Sequence, residues 1–327
     1  MILVTGGTGL VGSFLLRELA RSGQGPIRAI KRPSSNISAF NDLAVEIQWV
    51  EASMTNVDEL YDALEGIDTI YHCAAQIGYT SSDTDAMYKI NKEGTANLVN
   101  AALHNKVTRL LYVSSIAAIG ANPDLGMIRE ESKWEKSKLN THYSISKMLG
   151  ELEVWRGMAE GLSCVIINPG IILGPAKWEH GVGRIWKHVD SGSMFYVDNV
   201  NGYIDVRDVV QIMVELMKSG INGQRYILVA ENAGIKQIID LVAQKLNKRP
   251  PSIKLDPALL PFIAGIEAVR TIVTGSSPII TPTAARLASK NFTYSNQKIR
   301  DCLQYDFIPL RETVDFVTKA YVNKKHG

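Results

Sequence analysis

The sequence predicts an α/β fold, a doubly wound parallel sheet with a smaller, mainly helical C-terminal lobe. Three observations point there. Short β-branched runs alternate with longer helical patterns through the first half of the chain, and a glycine-rich turn joins the first run to the first helix. After Asn168-Pro169-Gly170 the alternation gives way to irregular and then helical sequence.

The candidate strands, in order, are Ile2–Val4, Ile27–Ile30, Ile47–Val50, Thr69–His72, Arg109–Val113 and Cys164–Ile167. They are near-continuous apolar runs, as expected of strands covered by helices on both faces. Helical patterns fall between them at Leu10–Ser22, Val57–Leu64, Thr84–Asn105 and His142–Glu160. Beyond Gly170, Gly174, Pro175, Gly181, Gly183 and Gly192 mark the start of a second lobe. Gly202–Val206 and Arg225–Val229 read as two strands that return to the sheet, so the lobes are expected to be discontinuous. Residues 1–168 plus about 200–230 form the first, and about 169–199 plus 231–327 the second. Helices are expected at Ile235–Leu246, Pro257–Val273, Pro282–Ser289, Asn296–Leu303 and Leu310–Val322.

Composition narrows the function. With 46% hydrophobic and 21% charged residues the chain can bury a core and is not disordered. Its 35 Lys plus Arg against 33 Asp plus Glu leave a formal charge of +2, too balanced for an electrostatic footprint on nucleic acid or an anionic membrane. Cys73, Cys164 and Cys302 are too few and scattered for a disulfide framework or a zinc site, so no metal is expected. No apolar run reaches the roughly 18 to 20 residues that span a bilayer. Strand-like sequence from Ile2 leaves no room for a secretory leader. The expectation is a cytoplasmic protein whose partner is a small molecule.

The segment Val4-Thr5-Gly6-Gly7-Thr8-Gly9-Leu10-Val11-Gly12 follows a strand and opens a helix. Gly6 permits a tight turn, Gly9 a close approach of backbone amides to a pyrophosphate, and Gly12 close packing of helix on strand. Thr8, Leu10 and Val11 complete the turn and are candidate cofactor residues with the glycines. A glycine turn can also serve a tight connection with no ligand. The end of the next strand carries Lys31 and Arg32 where NAD binders carry an acidic residue for the ribose, which favours NADP over NAD, with NAD possible. The plainer alternative is that both cations solvate a strand end.

Ser115, Tyr143 and Lys147 form the second constellation. Tyr143 and Lys147, at i and i+4, share one helix face. A neighbouring ammonium at about 4 Å and an effective dielectric of about 20 contributes roughly 4 kcal/mol, or about three pKa units, to a phenolate before screening and desolvation. Alternatively, Tyr143 is half-buried packing and Lys147 pairs with Glu151 on the surface.

Together with His72-Cys73-Ala74-Ala75, Asn91-Lys92-Glu93-Gly94-Thr95, Val113-Ser114-Ser115 and Asn168-Pro169-Gly170, these motifs make the whole chain resemble the extended short-chain dehydrogenase/reductases, the NAD-dependent epimerase/dehydratase superfamily with its Rossmann-type sheet. Arg28 to Ser35 and Tyr226-Ile227-Leu228 resemble the dihydroflavonol-4-reductase-like branch. The resemblance implies Tyr143 as acid-base catalyst, Ser115 as orienter of the substrate carbonyl, and Lys147 as ribose ligand and tuner of Tyr143. It implies Asn91 as support for the active-site helix, and Ala74, Ala75 and Pro169 as cofactor lining. Ser115 is preferred over Ser114 because it precedes Gly120 by five residues, the family spacing. Where relatives carry a Gly-Asp pair for adenine, this chain has Glu51-Ala52-Ser53-Met54, leaving Ser53 and Met54 as substitutes. Tyr79, Trp178, Trp186 and Phe195 line an apolar pocket or belong to packing, and Arg207 is not diagnostic of a pyrophosphate site. The implied activity is NAD(P)-dependent hydride transfer to or from a ketone or secondary alcohol of a small, fairly apolar substrate. A nucleotide-sugar epimerase or dehydratase with tightly bound NAD is the alternative, and a non-enzymatic dinucleotide sensor is disfavoured by the intact tyrosine and lysine. The helices Thr84–Asn105 and His142–Glu160 match those through which many relatives form homodimers.

Overall fold

A strand covered by helices on both sides has no polar face to show, and the interior strand Arg109–Val113 has all five residues buried. The computed structural model describes residues 1–327 except 44, 79–82, 121–125, 177, 180, 261, 263–264, 266–286, 288–289 and 327. The first half runs β1 (Ile2–Thr5), α1 (Leu10–Arg21), β2 (Ile27–Lys31), β3 (Ile47–Glu51), α2 (Val57–Ala63), β4 (Thr69–His72), α3 (Thr84–Tyr88), a π-turn (Lys89–Glu93), α4 (Gly94–His104) and β5 (Arg109–Val113). There follow β6 (Met127–Ile128), α5 (His142–Ala159), β7 (Ser163–Pro169), β8 (Ile171–Leu173), α6 (Arg184–Asp190), β9 (Phe195–Tyr196) and β10 (Val200–Asp205). The rest is α7 (Val206–Lys218), β11 (Gln224–Leu228), β12 (Glu231–Gly234), α8 (Ile235–Leu246), β13 (Ile253–Lys254), β14 (Thr293–Tyr294), α9 (Gln297–Leu303) and α10 (Leu310–His326).

Seven strands form one parallel sheet in the order β11-β7-β5-β4-β1-β2-β3. One face is packed by α1 and α7, whose Leu15, Leu16, Leu19, Val209, Val210 and Met213 share a core with Val4, Leu111 and Val165. The other face is packed by α2, α4 and α5, through Leu60, Leu98, Val99 and Val154 against Leu3, Ile70, Leu110 and Tyr112. Strand order reverses between β1 and β4, so the carboxyl ends of these two strands open the crevice where ligands of such sheets bind.

Of the two strands expected to return to this sheet, only β11 does so. β10 instead pairs parallel with β8 and antiparallel with β12 in a separate three-stranded sheet. The reason lies in two glycines. A Cβ on Gly170 would stand 2.5 Å from the Gly202 carbonyl oxygen, so the bare backbones meet just after β7 and β8 leaves the sheet to offer β10 an edge. A third core joins this sheet to α6, α8 and α10 through Leu173, Trp186, Tyr203, Ile238, Val242 and Val314.

The helix expected across Thr84–Asn105 is interrupted by the π-turn, whose extra residue brings Asn91 inward to 1% exposure. Helices expected at Pro257–Val273 and Pro282–Ser289 fall mostly outside the described residues. Among the described residues no helix is long and apolar enough to cross a membrane, and no group of three or more His, Cys, Asp or Glu could hold a metal ion.

The segment before α10 is tied down by Asp208 of α7. This carboxylate is fully buried, accepts from the Tyr305 hydroxyl at 2.9 Å and the Ile308 amide at 3.1 Å, and is pushed up by burial to about 6. Asp208→Ala leaves both donors unpaired, and we expect a loss of about 2 to 4 kcal/mol in urea unfolding. A loss below about 0.5 kcal/mol would show that water replaces the carboxylate without cost.

Candidate active site

The glycine turn is shaped by close approach. Gly6 has φ of +67°, and a Cβ there would lie 2.7 Å from the Ala74 amide nitrogen; on Gly12 it would lie 2.2 Å from the Gly6 carbonyl oxygen. Thr8 and Gly9 are exposed, Leu10 and Val11 half-buried. The N-terminus of α1 has no side-chain cap and no acidic residue in its first turn. Its first amides therefore lack partners, and nothing negative opposes an anion there. These residues fit a dinucleotide pyrophosphate.

At the end of β2, Lys31 is ion-paired with Glu51, which faces it across β3. Arg32 is exposed and opens a turn in which its amide donates to Ser35 Oγ at 3.2 Å and the Ser35 amide donates to its carbonyl at 2.9 Å. Ser53 is used locally: its amide donates to Glu59 at 2.7 Å, and its hydroxyl lies 2.9 Å from that of Thr55. Met54 is buried against Gly94. Ala74 is half-buried, Ala75 exposed, and Pro169 buried at the end of β7.

The helix α5 starts at Thr141, whose hydroxyl accepts from the Ser144 amide at 3.0 Å. Tyr143 is half-buried on its first turn. Lys147, one turn on, is 1% exposed and donates to Tyr112 Oη at 2.8 Å and to the Val113 carbonyl at 2.9 Å. Burial, only partly offset by the Glu151 carboxylate, pulls its ammonium down to about 7. The surface pair with Glu151 does not form. Glu151 is buried, accepts from Asn168 Nδ2, and meets Arg225 Nη1 at 3.2 Å.

Asn91 is held by three bonds. Its Oδ1 accepts from the Gln76 amide at 2.7 Å, and its Nδ2 donates to the Gln76 carbonyl and to Ser146 Oγ, each at 2.9 Å. Ser115 is half-buried at the end of β5, its hydroxyl accepting from the Ala117 amide at 3.2 Å. Ser114 is 4% exposed. Asn168 Nδ2 donates to the Ser115 carbonyl at 2.9 Å, fixing that turn to β7.

Of the proposed substrate aromatics, Trp178 and Trp186 are buried in the third core, so packing is their role; Phe195 is exposed, and Tyr79 lies outside the described residues. Arg207 is ion-paired with buried Asp205 at 2.6 Å and lies over the Phe316 ring at 4.1 Å. Sequence reasoning missed Tyr112, Thr5 and Arg225. Tyr112 could have been found by strand parity, since it shares with Leu110 the face of β5 that α5 covers.

Fold and site define an enzyme that uses a nicotinamide dinucleotide. A model of the NAD dependent epimerase/dehydratase family matches residues 2–229. The chain belongs to that family, as an extended short-chain dehydrogenase/reductase. It is 31% identical over 264 residues to sterol demethylase protein B of Methylococcus capsulatus, covering 80% of this chain and 79% of that protein. It is 30% identical over 304 residues to a putative dihydroflavonol 4-reductase of Synechocystis, covering 90% and 87%. The crystal structure of gox2253 superposes with a TM-score of 0.84 at 29% identity, covering 100% of this chain and 98% of that one.

Burying Lys147 has a signed consequence. Its pKa is near 10.5 unfolded and about 7 folded, so between these values the unfolded chain carries the extra proton and stability rises with pH. Below about 7 the full penalty is present. Lys147→Met in the dinucleotide-free protein is expected to be more stable than wild type at pH 6, the advantage shrinking by roughly 2 kcal/mol at pH 9. Urea unfolding at both pH values measures this, and a pH-independent advantage would contradict it.

Proposed function

We propose that the protein is an NADP(H)-preferring reductase that moves hydride between nicotinamide and a ketone or secondary alcohol of a small, fairly apolar substrate. The observation that carries this is the buried Lys147, held at the carboxyl end of β5 one helical turn from Tyr143. An amine sequestered there can bias a phenol toward its phenolate, which free tyrosine with a pKa near 10 does not reach at neutral pH. Tyr143 gives its proton to the developing alkoxide in reduction and takes it back in oxidation. Ser115, rather than the enclosed Ser114, orients the carbonyl. Asn91 acts from behind, tying the π-turn to α5 through Ser146.

Bound nicotinamide supplies or accepts the hydride. Gly6, Thr8, Gly9, Leu10, Val11, Gly12 and the first amides of α1 hold the pyrophosphate. Ala74, Ala75, Lys147 and Pro169 flank the nicotinamide ribose, and Ser53 and Met54 lie toward adenine. Arg32 takes the 2′-phosphate, with Lys31 contributing less because Glu51 offsets its charge. The segments 169–199 and 231–327 form the substrate lobe. An apolar substrate is supported by the two relatives, whose names refer to a sterol and a dihydroflavonol, ring systems poor in charge. Arg207, committed to Asp205 and Phe316, does not favour a nucleotide-sugar pyrophosphate.

Nicotinamide absorbance is followed with NADPH or NADH against a panel of ketones and aldehydes, and separately against nucleotide sugars. Net oxidation with a ketone is expected, and Tyr143→Phe should lower kcat by about a hundredfold or more while leaving dinucleotide affinity unchanged. Unchanged turnover in that variant, or isomerised sugar without net oxidation, would overturn the assignment. In the same assay Arg32→Ala should reduce the NADPH to NADH ratio of kcat/KM by about tenfold, the worth of one charged hydrogen bond. An unaltered ratio would remove Arg32 from cofactor choice.

A further inference from the structure

Behind the crevice, buried polar side chains of β1, β4 and α4 form a hydrogen-bond chain whose direction can be worked out link by link, and beside it a further bond joins α5 to β5. Thr95 Oγ donates to the Asn91 carbonyl at 2.7 Å, and a carbonyl only accepts, so the single Thr95 proton is spent. His72 Nε2, 3.0 Å from Thr95 Oγ, must therefore carry the proton. Burial, with the Lys147 charge adding to it, pulls His72 down to about 3, so the ring is neutral and Nδ1 accepts. The Thr5 hydroxyl donates to it at 2.7 Å and itself accepts from the Ala74 amide at 3.2 Å. On β5 the Tyr112 phenolic oxygen accepts from Lys147 Nζ at 2.8 Å.

We infer that Tyr112 is a positioning residue: its phenolic oxygen holds the Lys147 ammonium against the Val113 carbonyl and so sets the charge that Tyr143 experiences. The inference rests on Tyr143 and Lys147 being the acid-base pair. A phenylalanine would fill the same place in the core and keep the ring against His72, 5.2 Å between centroids. The buried oxygen is costly unless it is bonded, and its placement answers the need of the ammonium. Burial pushes Tyr112 well above the ordinary tyrosine range, so it remains a neutral acceptor throughout the working pH range. Two of three ammonium donors are taken by β5, leaving one for a ligand.

Among the described residues, the titratable groups about Lys147 are Tyr112 on β5, His72 and Cys73 at the end of β4 and Glu151 on its own helix, with Tyr143 one turn before it. His72 and Tyr112 stay neutral, burial pushes the Cys73 thiol up to about 12, and Glu151 is bonded to Arg225 and Asn168. Among the described residues, the hydrogen bond that removing the Tyr112 oxygen takes away is the one from Lys147. The ammonium loses an acceptor and gives up its proton more readily, and with less positive charge beside it Tyr143 ionises at higher pH.

The test is Tyr112→Phe in the full chain. Without dinucleotide, the Lys147 side-chain NMR signal, assigned by its loss in Lys147→Met, is followed from pH 5.5 to 9.5. The pH profile of kcat/KM for alcohol oxidation is measured beside it. The Lys147 midpoint should fall by about one unit, the activity limb move to higher pH, and kcat/KM drop on the order of tenfold. If Tyr112→Phe does not fold, 3-fluorotyrosine at position 112 keeps the shape, weakens the acceptor and should move both midpoints the same way by less. An unmoved Lys147 midpoint overturns the inference. A moved midpoint with an unmoved activity limb leaves Tyr112 as the holder of Lys147 and overturns the acid-base pairing instead.

Discussion

A primary amine cannot sit at 1% exposure unless acceptors come to it, and much of the architecture around the crevice follows from supplying them to Lys147. Both acceptors lie on β5, so α5 must pack closely on that strand and on the π-turn beside it. Gly150 makes this possible. A Cβ there would stand 2.4 Å from the Asn91 carbonyl oxygen and 2.5 Å from Tyr112 Oη. Two turns on, a Cβ on Gly157 would stand 2.5 Å from Val99 Cγ1 of α4. Small residues on one helix face thus convert a packing distance into a lysine environment.

The same helix delivers three groups at spacings of four: Tyr143, Lys147 and Glu151. Their environments differ in kind. Tyr143 remains half-open, Lys147 is enclosed by neutral acceptors, and Glu151 is locked by Asn168 and Arg225, whose Nε also donates to the Glu130 carbonyl at 2.8 Å. Asn168 in turn holds the Ser115 carbonyl, so Ser115 and the buried end of α5 are fixed to the same residue of β7. The half-exposed tyrosine opens the helix, and the enclosed lysine and glutamate behind it are hydrogen-bonded to neighbouring strands.

The alternation of strands and helices was legible because burial on both faces leaves a period-free apolar run that few other environments produce. The sheet to which a strand belongs was not. Val200–Asp205 reads as well for the central sheet as for the small one, and the deciding contact, Gly170 against Gly202, joins residues 32 apart. The π-turn was hidden because one extra residue barely disturbs helical periodicity, although Asn91 itself was identified by its motif. Tyr112 was invisible for a different reason: in an apolar strand a tyrosine reads as core, and only the lysine brought against it shows what the oxygen is for. The glycine turn, and the placing of Tyr143 and Lys147 one turn apart on one helix, were legible because their spacing carries that geometry locally.

The end of β2 shows how register changes an electrostatic reading. Two consecutive cations on one strand suggest a charge of two facing the ribose. Parallel pairing sets Lys31 directly opposite Glu51, and the pair neutralises one of them. Arg32 is left as one net positive charge, exposed, at a turn with Ser35. A unit charge at about 4 Å is worth about 1 kcal/mol in water and about 4 kcal/mol at an effective dielectric of 20, so an exposed arginine lies toward the lower figure unless it binds in bidentate fashion. On the proposed reading, the charge this site offers a cofactor rests on Arg32 as long as Lys31 stays with Glu51, and grows if that pair opens.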